Sequence, residues 1–335
     1  MGVDLDNNHH AKQRRLLLRQ IAWSASAALI PHASISAAEL DLDGSGMPYA
    51  AFEQLPIEDL AIGNAHIHIA FGPGGFQLPH ARIIDYVRQS AQTVALYFGR
   101  FPARSTRLLV LNSSAAGRPV RSGMAFGYQG AAIKLTLAAS VSAADLDNDW
   151  ILVHEMCHLA LPSLPRQQGW FEEGMASYVE PLARAQAGLL SAERVWGDLV
   201  KGLPQGLPQA GDRGLDHTPT WGRRYWGGAL FCLLADVGIR EASAGRSGLQ
   251  QALRAILDHG NIEDRSALEP LLRIGDGATK TTVLTELHAQ MGASPYPVDL
   301  DQWWARLGVR GSASAVEFDD AAPLAAIRLA MTRRL

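Results

Sequence analysis

His154-Glu155-Met156-Cys157-His158 is the stretch of this 335-residue chain whose residue types and spacing point most directly to chemistry. Two imidazoles four residues apart on a helix share one face, about 5–6 Å apart at Cβ, so a single divalent ion can take a nitrogen from each. Glu155 projects about 100° round the helix from His154, beside the ion rather than on it. From there a carboxylate can take a proton from a water that the ion activates. A hydrolytic zinc site uses three protein ligands and leaves a fourth place for water, so a further ligand must come from elsewhere in the chain.

The element that carries these residues reads as a buried helix. Asp147-Asn148-Asp149 supplies cap and negative charge for a start, Trp150-Ile151-Leu152-Val153 leads into the first histidine, and the helix can run to about Leu161 before Pro162 and Pro165 stop it. Nearly every other position from Trp150 to Leu161 is apolar. Three ionisable groups in such a helix need a partner that offsets their desolvation, and a divalent cation is the simplest. The competing account is a pair of hydrogen-bonded core histidines beside a salt-bridged glutamate. Cys157 sits about 60° from His154 on the same helix and reads as a small buried apolar residue rather than a ligand. It and Cys232 are the only cysteines, so at most one disulfide is available, and the sequence does not say whether they pair.

A short loop downstream, Trp170-Phe171-Glu172-Glu173-Gly174-Met175-Ala176-Ser177-Tyr178 reads as another helix start with two carboxylates in its first turn. Either could complete the ligand set.

At this segment the chain resembles the gluzincin metallopeptidases, in which an aromatic-rich W-x-x-E-G segment on a second helix gives the third zinc ligand. The resemblance implies Glu173 as that ligand and leaves Glu172 as a neighbouring or solvated carboxylate. Arg224-Tyr225-Trp226-Gly227-Gly228-Ala229, followed by the apolar run Leu230 to Asp236 and by Ile239-Arg240, is similar to the Y-x-K-G-A helix of the M1 and M61 peptidase families. The continuation Gly245-Arg246-Ser247-Gly248-Leu249 to Ala252-Leu253-Arg254 is closer to M61, the glycyl aminopeptidase family. The resemblance implies that Tyr225 donates a hydrogen bond to the developing oxyanion; read without it, Tyr225 is an interfacial tyrosine anchoring a buried helix. Two departures stand out. Gly227 occupies the place of the family's lysine, and Gly123-Met124-Ala125-Phe126-Gly127, which corresponds to the edge strand that holds a substrate's free amino terminus, has no carboxylate. Simple removal of single N-terminal residues is therefore not the expected outcome.

Composition limits the alternatives. A hydrophobic content of 47% with 19% charged residues is that of a globular chain with ample core. A net charge of −3 and the lack of Lys/Arg clusters in the body of the chain give no footprint for nucleic acid. Gln13-Arg14-Arg15-Leu16-Leu17-Leu18-Arg19 precedes a modestly apolar segment from Ile21 to Ile35, and Ser36-Ala37-Ala38 offers small residues for cleavage. This start resembles a twin-arginine export signal, with a Sec signal, an uncleaved anchor or an amphipathic helix as alternatives; export to the periplasm or beyond is the expectation. No other window reaches the roughly 18 apolar residues of a membrane span.

Around these motifs, Ala65 to Ala70, Arg107 to Leu111 and Ala132 to Leu137 read as strands, and Ala81 to Phe98 as a helix with apolar positions at Ile83, Ile84, Val87, Ala91, Val94, Ala95 and Phe98. His66 and His68 share one strand face and read as surface histidines rather than ligands. Lys201 to Trp221 is rich in Gly and Pro and holds His217, a second candidate for stabilising the transition state. Helices are expected at about Tyr225 to Arg240, Leu249 to Asp258 and Leu300 to Leu307, with Ser247 and Asp299 as caps and Gly260 and Gly308 as stops. A final strand is expected at Ala315 to Phe318, and a helix from Ala321 to Arg333.

The expected fold is α+β: a zincin-like catalytic domain with a small mixed sheet before the zinc helix, an edge strand along one wall of the cleft, and a mainly helical C-terminal part. Residues 1–38 are assigned to an export signal, 39–78 to an N-terminal segment with one strand, 79–300 to the catalytic domain and 301–335 to a tail. The expected activity is peptide-bond hydrolysis, with His154, His158 and Glu173 on zinc, Glu155 as general base and Tyr225 as oxyanion donor. A peptidase-like domain that only captures peptides or a partner, and a zinc hydrolase of non-peptide amides or esters, remain as alternatives.

Overall fold

The structure, a computed structural model, describes residue 42, residues 44–218 and residues 220–335. The segment expected to be an export signal lies outside the described residues. Those described belong to one compact unit.

After a one-turn helix α1 (Ala51–Gln54) come β1 (Ile57–Ile62), β2 (Ala65–Phe71), helix α2 (His80–Phe98), β3 (Ser105–Ser113), β4 (Val120–Phe126) and β5 (Ala132–Ala138). They form one mixed sheet in the order β1-β2-β3-β5-β4. β2, β3 and β5 run parallel, while β1 and β4 are added antiparallel at the two edges. The parallel centre explains the buried apolar run Leu108-Leu109-Val110 of β3, whose two faces are both covered, while β5 alternates, with Lys134 and Thr136 only partly covered. Helix α2 buries Ile83, Val87, Ala91, Val94 and Phe98, while the flanking Ile84 and Ala95 are only partly covered. Two strands lie outside the sequence expectation, β1 and the hairpin strand β6 (Val309–Ser312), which pairs with the expected β7 (Ala315–Phe318), while β4 was expected only from the resemblance of Gly123–Gly127 to an edge strand. The exposed positions Ile57, Glu58 and Asp59 of β1, and Gly123 within β4, blur the alternation that identifies a strand.

The remainder is helical: α3 (Ala143–Asp147), α4 (Ile151–His158), α5 (Gly169–Gln186), α6 (Ala192–Gly202), α7 (Gly228–Ala242), α8 (Leu249–His259), α9 (Leu268–Thr279), α10 (Val283–Met291), α11 (Leu300–Leu307) and α12 (Ala325–Thr332). Asp147 closes α3, a separate short helix capped by Ser142 and Asp145, instead of opening the histidine helix. Asp149 does serve α4, accepting from Leu152 N at 3.3 Å. Ser247 is not the cap of α8: Gly248 holds that place, closed by the Gln251 side chain at 2.8 Å. Asp299 caps α11, and Gly308 ends it in the left-handed region at φ 68°.

One buried carboxylate joins three of these helices. Asp236 on α7 accepts from Tyr178 of α5 at 3.0 Å, from Arg240 at 2.8 Å and from the backbone N–H of Leu249 at the start of α8 at 2.9 Å. With three donors on it, one of them the Arg240 guanidinium, its charge is compensated despite 2% exposure. The helix that carries Glu173 is thereby pinned to α7 and α8.

Candidate metal centre

Helix α4 packs against β4 and α5, so its faces are decided by what they meet. Leu152, Met156 and Cys157 are buried in the core, and His154 and His158 turn toward α5. The ring nitrogens Nε2 of His154 and His158 stand 3.3 Å apart. Glu173, in the second turn of α5, places Oε2 3.5 Å from the first and 3.4 Å from the second. Three atoms bound at about 2.0–2.2 Å to a tetrahedral zinc ion are about 3.3–3.5 Å from one another. The triangle of two imidazole nitrogens and one carboxylate oxygen therefore has the size and chemistry of three corners of a zinc tetrahedron. Among the described residues this is the one group of three or more His, Cys, Asp or Glu side chains with ligand atoms converged in this way.

The same proximity sets the charges. Burial works against a charged His158, but the Glu173 carboxylate, with Glu155 and Glu172 behind it, outweighs that and holds the imidazole at about 9. For Glu173, burial is likewise overcome by the two histidines, which keep its carboxyl well below the usual carboxylate range. Glu172 turns elsewhere. Its Oε1 accepts from Leu164 N at 2.9 Å and ties down the loop that leaves α4.

Two glycines explain how Glu173 and Tyr225 come to one place. A Cβ on Gly174 would lie 2.2 Å from Gly228 Cα, and a Cβ on Gly228 would lie 2.1 Å from Trp170 O. Helices α5 and α7 thus touch backbone to backbone, which only residues without side chains allow. Tyr225 lies on a π-helical turn, Arg223–Gly227, that leads into α7. Its ring stacks with Trp221 at 4.8 Å and lies parallel to His154 at 6.2 Å. Burial and the neighbouring Glu173 carboxylate push the phenol well above its usual range, so it holds its proton and can donate it. Gly227, in the place of the lysine of the resembling families, is packed under Leu215 and Arg223, whose side-chain ends would stand 2.9 Å and 3.0 Å from a Cβ there. A cation is still close by. Arg224 lies against Gly169, where a Cβ would stand 2.3 Å from its Nη2, and its buried Nε has no partner among the described residues.

The ligand triangle opens onto a cleft of about 880 Å³, walled on one side by β4 and on the other by Ser163–Pro165 and the loop Ile262–Ala267, with Glu155, His158, Glu172, Glu173 and Tyr225 between them. β4 is an edge strand, and the stretch Gly123–Gly127 brings no carboxylate to the cleft; Glu263 and Asp264 come from the opposite wall. Gly123 lies over Glu155, with a Cβ position 2.5 Å from Glu155 Cγ.

Other sequence candidates fall outside this cleft. His217 ends a short 3-10 turn and is not among the cleft-lining residues. His66 and His68 are exposed and pair with Asp59 at 2.7 and 3.0 Å. Cys157 and Cys232 are both buried and free, so they do not pair. Next to His217, Asp216 has a role that the sequence did not reveal. It accepts from Trp170 Nε1 at 2.9 Å and pairs with His288 at 3.1 Å, bracing the start of the helix that carries Glu173. Its three members lie 46 and 72 residues apart, too far for any local pattern to join them.

The sequence matches no protein-family profile and no curated protein. Among solved structures, the chain is similar to an aminopeptidase N family protein from Idiomarina loihiensis at TM-score 0.56 and 15% identity, over 76% of this chain and 49% of that one. The M1 zinc metallopeptidase from Deinococcus radiodurans overlaps less well, at TM-score 0.46 and 19% identity over 73% of this chain and 54% of that one. This chain has the aminopeptidase N type of fold. It spans about half the length of the structures it matches.

Proposed function

We propose that this chain is a zinc-dependent peptidase in which His154, His158 and Glu173 hold the ion, Glu155 is the general base and Tyr225 the oxyanion donor. What supports the reading above all is the ligand triangle, with edges of 3.3, 3.4 and 3.5 Å. A zinc ion held there supplies Lewis acidity, lowering the pKa of a water from 15.7 toward about 7 and polarising a carbonyl. Glu155, beneath β4 and facing the cleft, takes the proton of the attacking water on a carboxylate oxygen and returns it to the leaving nitrogen. Tyr225 keeps its phenolic proton and offers it to the carbonyl oxygen as negative charge grows there. The free edge of β4 aligns an extended peptide by backbone hydrogen bonds, which is the sense in which a peptide suits this cleft better than a small amide. The closer M61 likeness of the Tyr225 segment and an export signal at residues 1–38 are carried as parts of the same proposal.

The test is turnover of a defined peptide mixture with and without chelator. Glu155→Gln is expected to retain zinc and lose hydrolysis, and His158→Ala to lose both. Undiminished cleavage by Glu155→Gln would sink the mechanism. No turnover of any peptide would point to a capturing domain, or to a hydrolase of small amides if those alone are cleaved.

A further inference from the structure

The described residues leave nine large hydrophobic side chains exposed; two of them line the cleft, and two more lie outside its lining against His154 and Tyr225. Met124 and Tyr128 line the cleft, Trp150 stands edge-on to His154 at 5.5 Å, and Trp221 stacks on Tyr225 at 4.8 Å. Their exposures run from 42% for Trp150 to 61% for Trp221. Exposed apolar side chains that line a cleft, as Met124 and Tyr128 do, mark a surface that binds something apolar.

The pleat of β4 says where that apolar surface lies. Successive side chains of a strand point to opposite faces, so Gly123, Ala125 and Gly127 share the face toward Glu155 and Ile262, while Met124 and Phe126 share the other. A segment paired to this edge has its own side chains about 4.5–5.5 Å from their cross-strand neighbours. Those on one face meet Met124 and Phe126; on the other face Gly123 already lies against Glu155 and Ile151, and Gly127 against the Ile262 backbone, so the apolar contact is made on the Met124 face. Charge points the same way. Away from the proposed ligands and base, the walls carry Glu172, Glu263 and Asp264 against Arg265. An acidic segment is therefore opposed by the walls, and an apolar one is not.

We infer that the cleft selects polypeptide segments with bulky apolar or aromatic side chains around the bond at the metal, over acidic and glycine-rich segments. The inference rests on the peptidase reading only for which bond lies there.

Binding to the full-length, zinc-loaded Glu155→Gln protein tests it without turnover. Three eight-residue peptides are titrated by calorimetry: one rich in Leu and Phe, the same peptide with those positions changed to Gly, and the same with Asp. The Leu/Phe peptide is expected to bind at least about tenfold more tightly than either of the others, equivalent to about 1.4 kcal/mol. Trp221→Ala and, separately, Met124→Ser are expected to erase about three- to tenfold of that preference, the scale of an aromatic contact, without changing zinc content or thermal midpoint. Equal affinity for the three peptides, uniform weakening by both variants, or no binding at all would overturn the inference. Selective binding without cleavage by the unmodified protein would instead overturn the peptidase reading alone, and cleavage with no side-chain preference would overturn only the selectivity.

Discussion

Gly123 of the edge strand lies directly over Glu155 of the histidine helix, so close that a methyl group on its Cα would stand 2.5 Å from Glu155 Cγ and 2.8 Å from Ile151 Cγ2. The contact limits where the carboxylate can go and faces it into the cleft. It also gives the glycine a role that depends on no catalytic group of its own.

Gly123→Ala is accordingly expected to push Glu155 off its position while leaving the zinc ligands alone. Peptidase activity should fall by about 10²-fold, the cost of about 1 Å of misplacement. Zinc content, read by atomic absorption, should remain one ion per chain, and activity at the wild-type level would refute the positioning role.

Tyr225→Phe keeps the ring stacked between Trp221 and His154 and removes only the hydroxyl. Loss of one oxyanion donor commonly costs about 10²–10³ in kcat. The fall should appear in kcat with KM little changed, and zinc affinity should hold. An equal loss in a Tyr225→Phe protein whose zinc is also depleted would show that the tyrosine supports Glu173 and not the reaction.

Zinc uptake should depend on pH through His158. In the metal-free protein its folded value is about 9 against an ordinary 6.5, so a proton must leave before the nitrogen can bind an ion. Apparent affinity, measured by chelator competition, is expected to rise about tenfold per pH unit and level off above about 9. Stability of the metal-free form follows from the two opposite shifts. The contribution from His158 is fully present below 6.5 and lost as pH rises through about 9; that from Glu173, whose value is lowered from 4.5, is present above 4.5 and lost on acidification. The pair therefore helps most between 4.5 and 6.5. A flat affinity profile over pH 6 to 8 would contradict the pairing.

Gly174→Ala is expected to wedge α5 from α7. Overpacking of this kind costs about 1–3 kcal/mol, visible as a lower urea midpoint at unchanged slope. Because the same contact brings Glu173 to Tyr225, activity should fall further than stability does. Unchanged stability would mean that the helices have slack the close approach does not suggest.

The two candidate histidines and Glu155 were readable in the sequence because their relation is local. His154 and His158 are one helical turn apart and Glu155 is fixed beside them by the same helix, whereas the short aromatic segment offered both Glu172 and Glu173, and only the family resemblance favoured Glu173. Helix α11 and its Asp299 cap were legible for the same reason, since a cap and an apolar period lie within a few residues of each other. Edge strand β4 was recognisable only as a motif, because Gly123 interrupts the alternation that marks a strand. The Asp216 brace and the Asp236 clamp left no sequence signal, for each is made by residues on separate elements.

Residue type and helical spacing alone thus determined which side chains could hold a metal and which could move a proton, as both depend on a turn of one helix. Tertiary structure alone decided that Glu173 and not Glu172 completes the triangle, that Tyr225 comes beside it, and that Gly123 lies over Glu155. Those outcomes turn on distances between separate elements, set by how closely two backbones can approach. That approach is governed by Gly174, Gly228 and Gly123, where the absence of a side chain acts only once the partner backbone is in place.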